Sequence, residues 1–397
     1  MVCAQEMPLV YGVEDTGADV KVPPLPEFDE LVSIPFLPDP FEKLDGTRIK
    51  SREEWTERRA EIKAMIEKYG AGEKPGKPSI FEPSFSGNTI TIKVGEGDQS
   101  FQMTASISRP ANAPVNKPIP AIIQLGSLPK KFFDERGIAI INYNAGQLIS
   151  TGFGGVNYQS GNFIKLYPDS DAGSFIRWAW GVSRIIDALE ALPEAMIDTK
   201  HLAVSGCSFM GKMALYSSAF DERIALTIPH ESGGGGTISW RYSDMLEKRD
   251  NTEVENLLHA QGGSDDFPWY ASALRQFNQE PDKLPYDQHE LIAMIAPRAV
   301  LMIESSQVAR MGAEAARIDH LAAKEVYKAL GIPDRIGVVE ENQGHCSWNQ
   351  NYNPFLEAFL DKFLLEKDDA GATGEMKSKF QDLDTEKWIP WKTQELK

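Results

Sequence analysis

Residues 204–215 read VSGCSFMGKMAL, and the conformation of this stretch decides the fold. A short apolar run, HLAV at 201–204, stops at Ser205 and Gly206. Ser208 follows, then Gly211 and KMALYSSAF, a segment able to wind as a helix. This is strand, tight turn and helix with a serine at the tip. The pattern G-x-S-x-G marks a serine nucleophile on such a turn, but here the second glycine comes one residue late. The competing reading of Ser208 is a plain helix N-cap.

Composition sets bounds. The chain has 397 residues, 42% hydrophobic and 25% charged, enough for a large core in one unit. A net charge of -17 repels a polyanionic backbone, so nucleic acid is not an expected partner. No run reaches the roughly 20 apolar residues of a membrane helix. The start, MVCAQEMPLVYG, lacks a full secretion signal; its CAQ reads equally as the tail of a trimmed one or as an ordinary beginning. Three cysteines, Cys3, Cys207 and Cys346, neither prove nor exclude an oxidising compartment. There is no C-x-x-C and no histidine pair at metal spacing, which speaks against structural zinc.

Along the chain, residues 1–50 are rich in proline and acids and read as an extended arm on a single domain spanning 51–397. Residues 51–69 have helical periodicity behind a Ser51/Glu54 capping box. Residues 88–94 and 100–108 alternate as a hairpin around GEGD. Dense apolar runs at 120–126, 137–144, 201–206, 224–231 and 296–305 read as buried strands. Helices are expected at 174–191, 319–331 and 353–366, and a strand within 335–348 leads to a His-bearing loop. Residues 241–285 lack clear periodicity and read as an insertion over the strand ends. The tail after 366 reads as loose, with Trp388 and Trp391 as candidate anchors. This alternation predicts a parallel α/β sheet with helices on both faces, and such sheets bind ligands at the carboxyl ends of their strands.

Three strand ends carry candidate groups in the chain order serine, acid, histidine: Ser208, then Glu231 or Glu304, then His345. α/β hydrolases use this order. A serine hydroxyl is a weak nucleophile until an imidazole takes its proton, and the imidazole needs an acceptor to fix its tautomer. His345 alone follows the final strand, whereas His201, His259, His289 and His320 fall where helices or strand starts would expose them. Fold logic by itself selects Glu304, at the end of the later strand. If Ser208 and His345 lie within hydrogen-bond reach, their neighbours Cys207 and Cys346 come close enough to bond. The alternative is two small buried thiols.

GCSFMGK, TIPHESGGGG, WRYSD and GHCSW together resemble the glucuronoyl esterases, carbohydrate esterase family 15, from about residue 55 to about 391. The resemblance accounts for the late glycine, since this family spells its elbow G-C-S-x-x-G-K. It implies an α/β-hydrolase fold, a three-layer αβα sandwich, with no cofactor or metal. The implied substrate is the ester between (4-O-methyl-)glucuronic acid of glucuronoxylan and lignin alcohols. A secreted or periplasmic monomer is expected. Ser208 becomes the nucleophile, His345 the base and Glu231 the acid, with Glu304 the alternative; Cys207 and Cys346 become a disulfide, and Lys212 a contact to sugar hydroxyls. Phe209 departs from the pattern, for the family usually places arginine there to help stabilise the oxyanion. Only the backbone N–H of Phe209 remains, and losing one oxyanion donor costs about 10²–10³ in rate in other hydrolases. Lys212 or Arg310 would compensate. The fungal sugar-stacking tryptophan is absent from SSQVARMG, where Arg310 stands instead. Asp266, before Pro268 and Trp269, matches the fungal pocket glutamate. This altered pocket points to a bacterial-type member. It also admits two alternatives: a carboxylic or acetyl esterase of other plant or algal polysaccharides, and a silent glycan-binding homologue.

Overall fold

A computed structural model describes residues 7–148, 161–260, 269–374 and 376–396. Its centre is one ten-stranded sheet. In chain order the strands are β1 (Ile80–Ser86), β2 (Thr89–Glu96), β3 (Gln99–Ser108), β4 (Ile119–Ile123), β5 (Ala139–Tyr143), β6 (Ile197–Cys207), β7 (Leu226–His230), β8 (Ala299–Ser305), β9 (Ile336–Glu341) and β10 (Met376–Lys377). Across the sheet they lie β1-β2-β3-β5-β4-β6-β7-β8-β9-β10. The first three strands and β5 pair antiparallel. From β5 onward every pair is parallel. Every residue of β7 and β8 is buried, as expected of central parallel strands covered on both faces.

Helices Arg52–Ile66, Ser174–Ala191, Phe209–Ala219 and Ala313–Ala329 bury residues in the larger core, on one face. Helices Lys131–Arg136 and Asn353–Phe363 cover the other, where Phe132, Phe133, Leu356 and Phe359 meet Ile122, Ile140 and Ile303. The result is the expected three-layer αβα sandwich of the α/β-hydrolase type. Crossovers between parallel strands carry each chain segment back over the sheet, so the turns after β4, β6, β7, β8 and β9 gather at one edge.

Local reasons for these elements are visible. Ser51 caps the first long helix, its Oγ accepting from Glu54 N at 3.3 Å. The Glu54 carboxylate bonds Lys50 N rather than the Ser51 N–H that a standard box would use. Strand β1, absent from the sequence reading, alternates half-buried and exposed residues and carries Pro83, a composition suited to an edge. Residues 241–285 are more regular than their pattern suggests, since a helix spans Trp240–Asp250 behind the cap Ser239. Its buried residues are Trp240, Arg241, Tyr242, Ser243 and a single aliphatic one, Leu246. Arg241 is neutralised by Asp287 at 3.1 Å, so no aliphatic stripe announces it.

Two histidines expected at the surface are fully buried, His289 and His320. His289 Nε2–H donates to Pro38 O at 2.9 Å, because the N-terminal segment covers its helix. Burial pushes the His289 imidazole down to about 4. The tail also docks: Trp388 is buried, Trp391 Nε1–H donates to Leu37 O at 2.8 Å, and β10 extends the sheet beside β9.

Candidate active site

Strand β6 ends at Cys207, and the helix Phe209–Ala219 starts one residue later. Ser208 makes the turn with φ 59° and ψ -125°, a region costly for a residue with a side chain. Its N–H donates to His230 O at 2.9 Å, which fixes the turn against β7. Glycine is required at 206, where a Cβ would stand 2.2 Å from Met210 O. At Gly211 a Cβ would come within 3.0 Å of both His230 O and Ser232 Cβ, so the late glycine lets the helix close onto the end of β7. Helix geometry leaves the Phe209 amide, at the positive end of the dipole, without an intrahelical acceptor.

Glu231 stands directly after β7, fully buried and with φ 43°. Its Oε2 accepts from His345 Nδ1 at 2.7 Å, and its Oε1 accepts from Cys346 N at 3.2 Å. His230 Nε2 lies 3.1 Å from the same Oε1. Burial alone would raise this carboxyl, but His230 and His345 outweigh it and hold Glu231 below the ordinary carboxylate value. His345 sits on the loop after β9, its side chain 38% exposed, so its other nitrogen is open to a reactant. Cys207 and Cys346 form a disulfide with Cα atoms 5.8 Å apart, tying the Ser208 turn to the His345 loop.

No hydrogen bond or ion pair joins Glu304 to His345 among the described residues. Its Oε1 accepts from Thr237 Oγ1 at 2.6 Å, and its Oε2 has no hydrogen-bond partner among the described residues. Burial pushes its carboxyl well above the ordinary range, and the Glu231 charge adds to this. The end of β8 aims the Glu304 carboxyl at Thr237, while the turn after β7 aims Glu231 at the imidazole.

Beside the elbow is a corner of different character. Lys212, on the same helix, is buried, and its Nζ donates to Glu255 Oε2 at 2.9 Å. Gly234 N also donates to that oxygen, at 2.9 Å. Lys212 Nζ lies 5.6 Å from the centre of the Trp269 ring. Phe209 packs between Phe175 and Trp269, each ring centre 5.1 Å away. Its side chain thus joins an aromatic wall. Arg310 is 55% exposed and pairs with Glu253 at 3.2 Å; its carbonyl accepts from Glu255 N. Asp266 lies outside the described residues. Sequence reasoning missed Glu255 and His230. Glu255 sits in the stretch without periodicity, and no pattern marked it. His230 had a signal, since it directly precedes Glu231 at a strand end.

A parallel sheet whose strand ends present serine, carboxylate and histidine in that chain order defines an α/β hydrolase. The family model for fungal glucuronyl esterase matches residues 92–331. The 4-O-methyl-glucuronoyl methylesterase of Hypocrea jecorina is 36% identical over 367 residues, covering 91% of this chain and 76% of that one. The solved catalytic domain of a glucuronoyl esterase from the same organism superposes with a TM-score of 0.87 at 35% identity, covering 94% of this chain and all of that one. A carbohydrate esterase family 15 glucuronoyl esterase from Caldicellulosiruptor kristjansonii gives 0.78 at 30%, covering 92% and 99%. The chain belongs to the glucuronoyl esterases and is a carboxylic ester hydrolase. Among the described residues no helix is long and apolar enough to cross a membrane.

Proposed function

We propose that this protein is a secreted serine esterase that cleaves the ester joining (4-O-methyl-)glucuronic acid of glucuronoxylan to a lignin alcohol. The observation that carries this reading is the His345–Glu231 hydrogen bond of 2.7 Å, tied by the disulfide to the strained Ser208 turn. A glucuronoyl esterase from Sporotrichum thermophile, 33% identical with a TM-score of 0.84 over 92% of this chain and 97% of that one, has been solved as a mutant in complex with methyl 4-O-methyl-β-D-glucopyranuronate.

In the proposed reaction Ser208 Oγ attacks the uronoyl carbonyl carbon and passes its proton to His345 Nε2. Glu231 stabilises the imidazolium through Nδ1–H. The oxyanion meets the Phe209 N–H and a donor from the loop after β4. The alcohol leaves with the proton from His345. Water, deprotonated by the same imidazole, then releases the uronic acid and restores Ser208. Lys212 and Glu255 offer a donor and an acceptor to the sugar hydroxyls, and Trp269 offers a ring face. Arg310 stands at the rim.

A second reading keeps the chemistry and changes the ester to another carboxylic or acetyl ester. Phe209, in place of a cationic oxyanion donor, favours it. The deciding experiment measures benzyl glucuronate hydrolysis by wild type and Ser208→Ala, with acetylated xylan and nitrophenyl acetate alongside. Turnover of the glucuronate that vanishes in the mutant supports the first reading. Turnover confined to the acetyl esters supports the second, and tight binding of glucuronoxylan fragments without any turnover would point to a silent binder.

A further inference from the structure

The mechanism above uses one imidazole, yet two face the same carboxylate. His230 is completely buried. Its backbone O accepts from Ser208 N, and its Nδ1 is hydrogen-bonded to Ser127 Oγ. Its Nε2 lies 3.1 Å from Glu231 Oε1, a close charge contact set off the hydrogen-bond direction, and makes no hydrogen bond among the described residues. Trp348 and Tyr352 hold the ring edge-on, at 6.3 and 6.0 Å between centres. Ser127 belongs to the loop after β4, which presses on the elbow: a Cβ on Gly126 would stand 2.8 Å from Gly206 Cα. His230 thus touches the nucleophile turn, the loop expected to supply an oxyanion donor, and the acid.

We propose that His230 is a positioning residue: its Nε2, lying against Glu231 Oε1, steadies that carboxylate and sets how strongly it binds the His345 imidazolium. The proposal rests on the Ser208–His345–Glu231 reading. Ser127 decides the tautomer. When its hydroxyl donates to Nδ1, the proton of the neutral ring sits on Nε2, 3.1 Å from Glu231 Oε1. Every N–H that Glu231 accepts draws on its charge and lowers its basicity. Oε1 accepts from Cys346 N and, at 3.4 Å, from Gln343 Nε2 and lies beside His230 Nε2, while Oε2 is left for His345. Other titratable groups near this assembly are Tyr352 and Glu304. The Tyr352 hydroxyl donates to Glu304 O at 2.7 Å, and the Glu304 carboxyl turns to Thr237. Neither supplies a donor to Oε1.

Removing the His230 N–H leaves Glu231 more basic. His345 then gains a stronger anion, holds its proton to higher pH, and the acid limb of kcat/KM moves upward. The test is the pH profile of benzyl glucuronate hydrolysis for wild type, His230→Phe, His230→Gln and Ser127→Ala, each with its melting temperature. His230→Phe is expected to lower kcat about tenfold with KM nearly unchanged and to raise the acid limb by about half a pH unit or more. His230→Gln keeps an N–H for Glu231 and should return both quantities most of the way. Ser127→Ala retains the imidazole but frees its tautomer, and should reproduce a smaller upward shift. An acid limb unmoved in His230→Phe, or a glutamine variant no better than phenylalanine, would overturn the proposal and leave His230 as packing. Wild type without turnover would instead sink the underlying reading, so the two failures are distinct.

Discussion

At the scale of single residues, strain and charge concentrate on one spot. Ser208, Glu231 and Cys346 all have positive φ, and all three adjoin the proposed reacting atoms. Such conformations persist only when neighbours over-determine them; here the Ser208 N–H, the Glu231 carboxylate and the disulfide do so. The two candidate acids can be separated by mutation. Glu231→Gln removes the anion facing His345 and should lower kcat on benzyl glucuronate by about 10³–10⁴. Glu304→Gln replaces a carboxyl that burial already disfavours as an anion, so the expected change is less than tenfold. Equal losses in the two variants would refute the assignment. A second residue-scale test concerns Lys212 and Glu255, whose side chains are 2% and 7% exposed. Lys212→Met strands a buried carboxylate and should cost about 3–5 kcal/mol in urea unfolding. The Lys212→Met, Glu255→Met pair should recover much of that stability, while KM for the uronate ester stays raised.

At the scale of elements, the sheet edge assembles the site only if the loop after β9 stays over the end of β6. The disulfide enforces this across 139 residues. On the chain-entropy model a loop of that length is worth about 5 kcal/mol. The double variant Cys207→Ser, Cys346→Ser should therefore melt well below wild type. It should also lose turnover at temperatures where it is still folded, because Cys346 N–H is one of the donors to Glu231. A variant that melts lower yet turns over at the wild-type rate would show the bridge to be purely a matter of stability. Legibility follows from the same elements. The buried parallel strands and the helix Ser174–Ala191 stood out because their apolar density is local. The elbow stood out because glycine and serine are forced by sterics at fixed offsets. Strand β1, the helix Trp240–Asp250 and the burial of His289 were not legible. Strand β1 pairs with its neighbour β2 but alternates half-buried and exposed residues with no dense apolar run to mark it, whereas the helix and the burial of His289 depend on partners distant in sequence, Asp287 and Pro38. Glu255 was missed for a like reason, since its partner Lys212 lies 43 residues away.

At the scale of the whole molecule, the N-terminal segment is fastened to the body by charge. Asp15 pairs with Lys63 at 2.8 Å and with Arg59 at 3.2 Å, while Glu14 pairs with Lys74 and Arg184. Burial would raise both carboxyls, but these cations overcome it and hold each at about 2, against ordinary values of 4.5 for Glu14 and 3.8 for Asp15. A carboxylate more acidic in the folded chain than in the unfolded one contributes stability above its unfolded value. That contribution is lost as pH falls toward its folded value. Acid also discharges the chain as a whole, which carries 58 acidic against 41 basic side chains and a net charge of -17. Relief of that repulsion works in the opposite direction, but exposed charges are screened within about 10 Å at 0.1 M salt, whereas partly buried pairs such as these are screened much less. The buried pairs therefore decide the outcome. Stability should change little from pH 7 to about 5, then fall steadily between about 4.5 and 2. Glu14→Gln with Asp15→Asn should be less stable than wild type at pH 7 and lose less on acidification, so that the two urea midpoints converge near pH 2. Parallel curves, offset by the same amount at every pH, would show that these two carboxylates act by packing and not by charge.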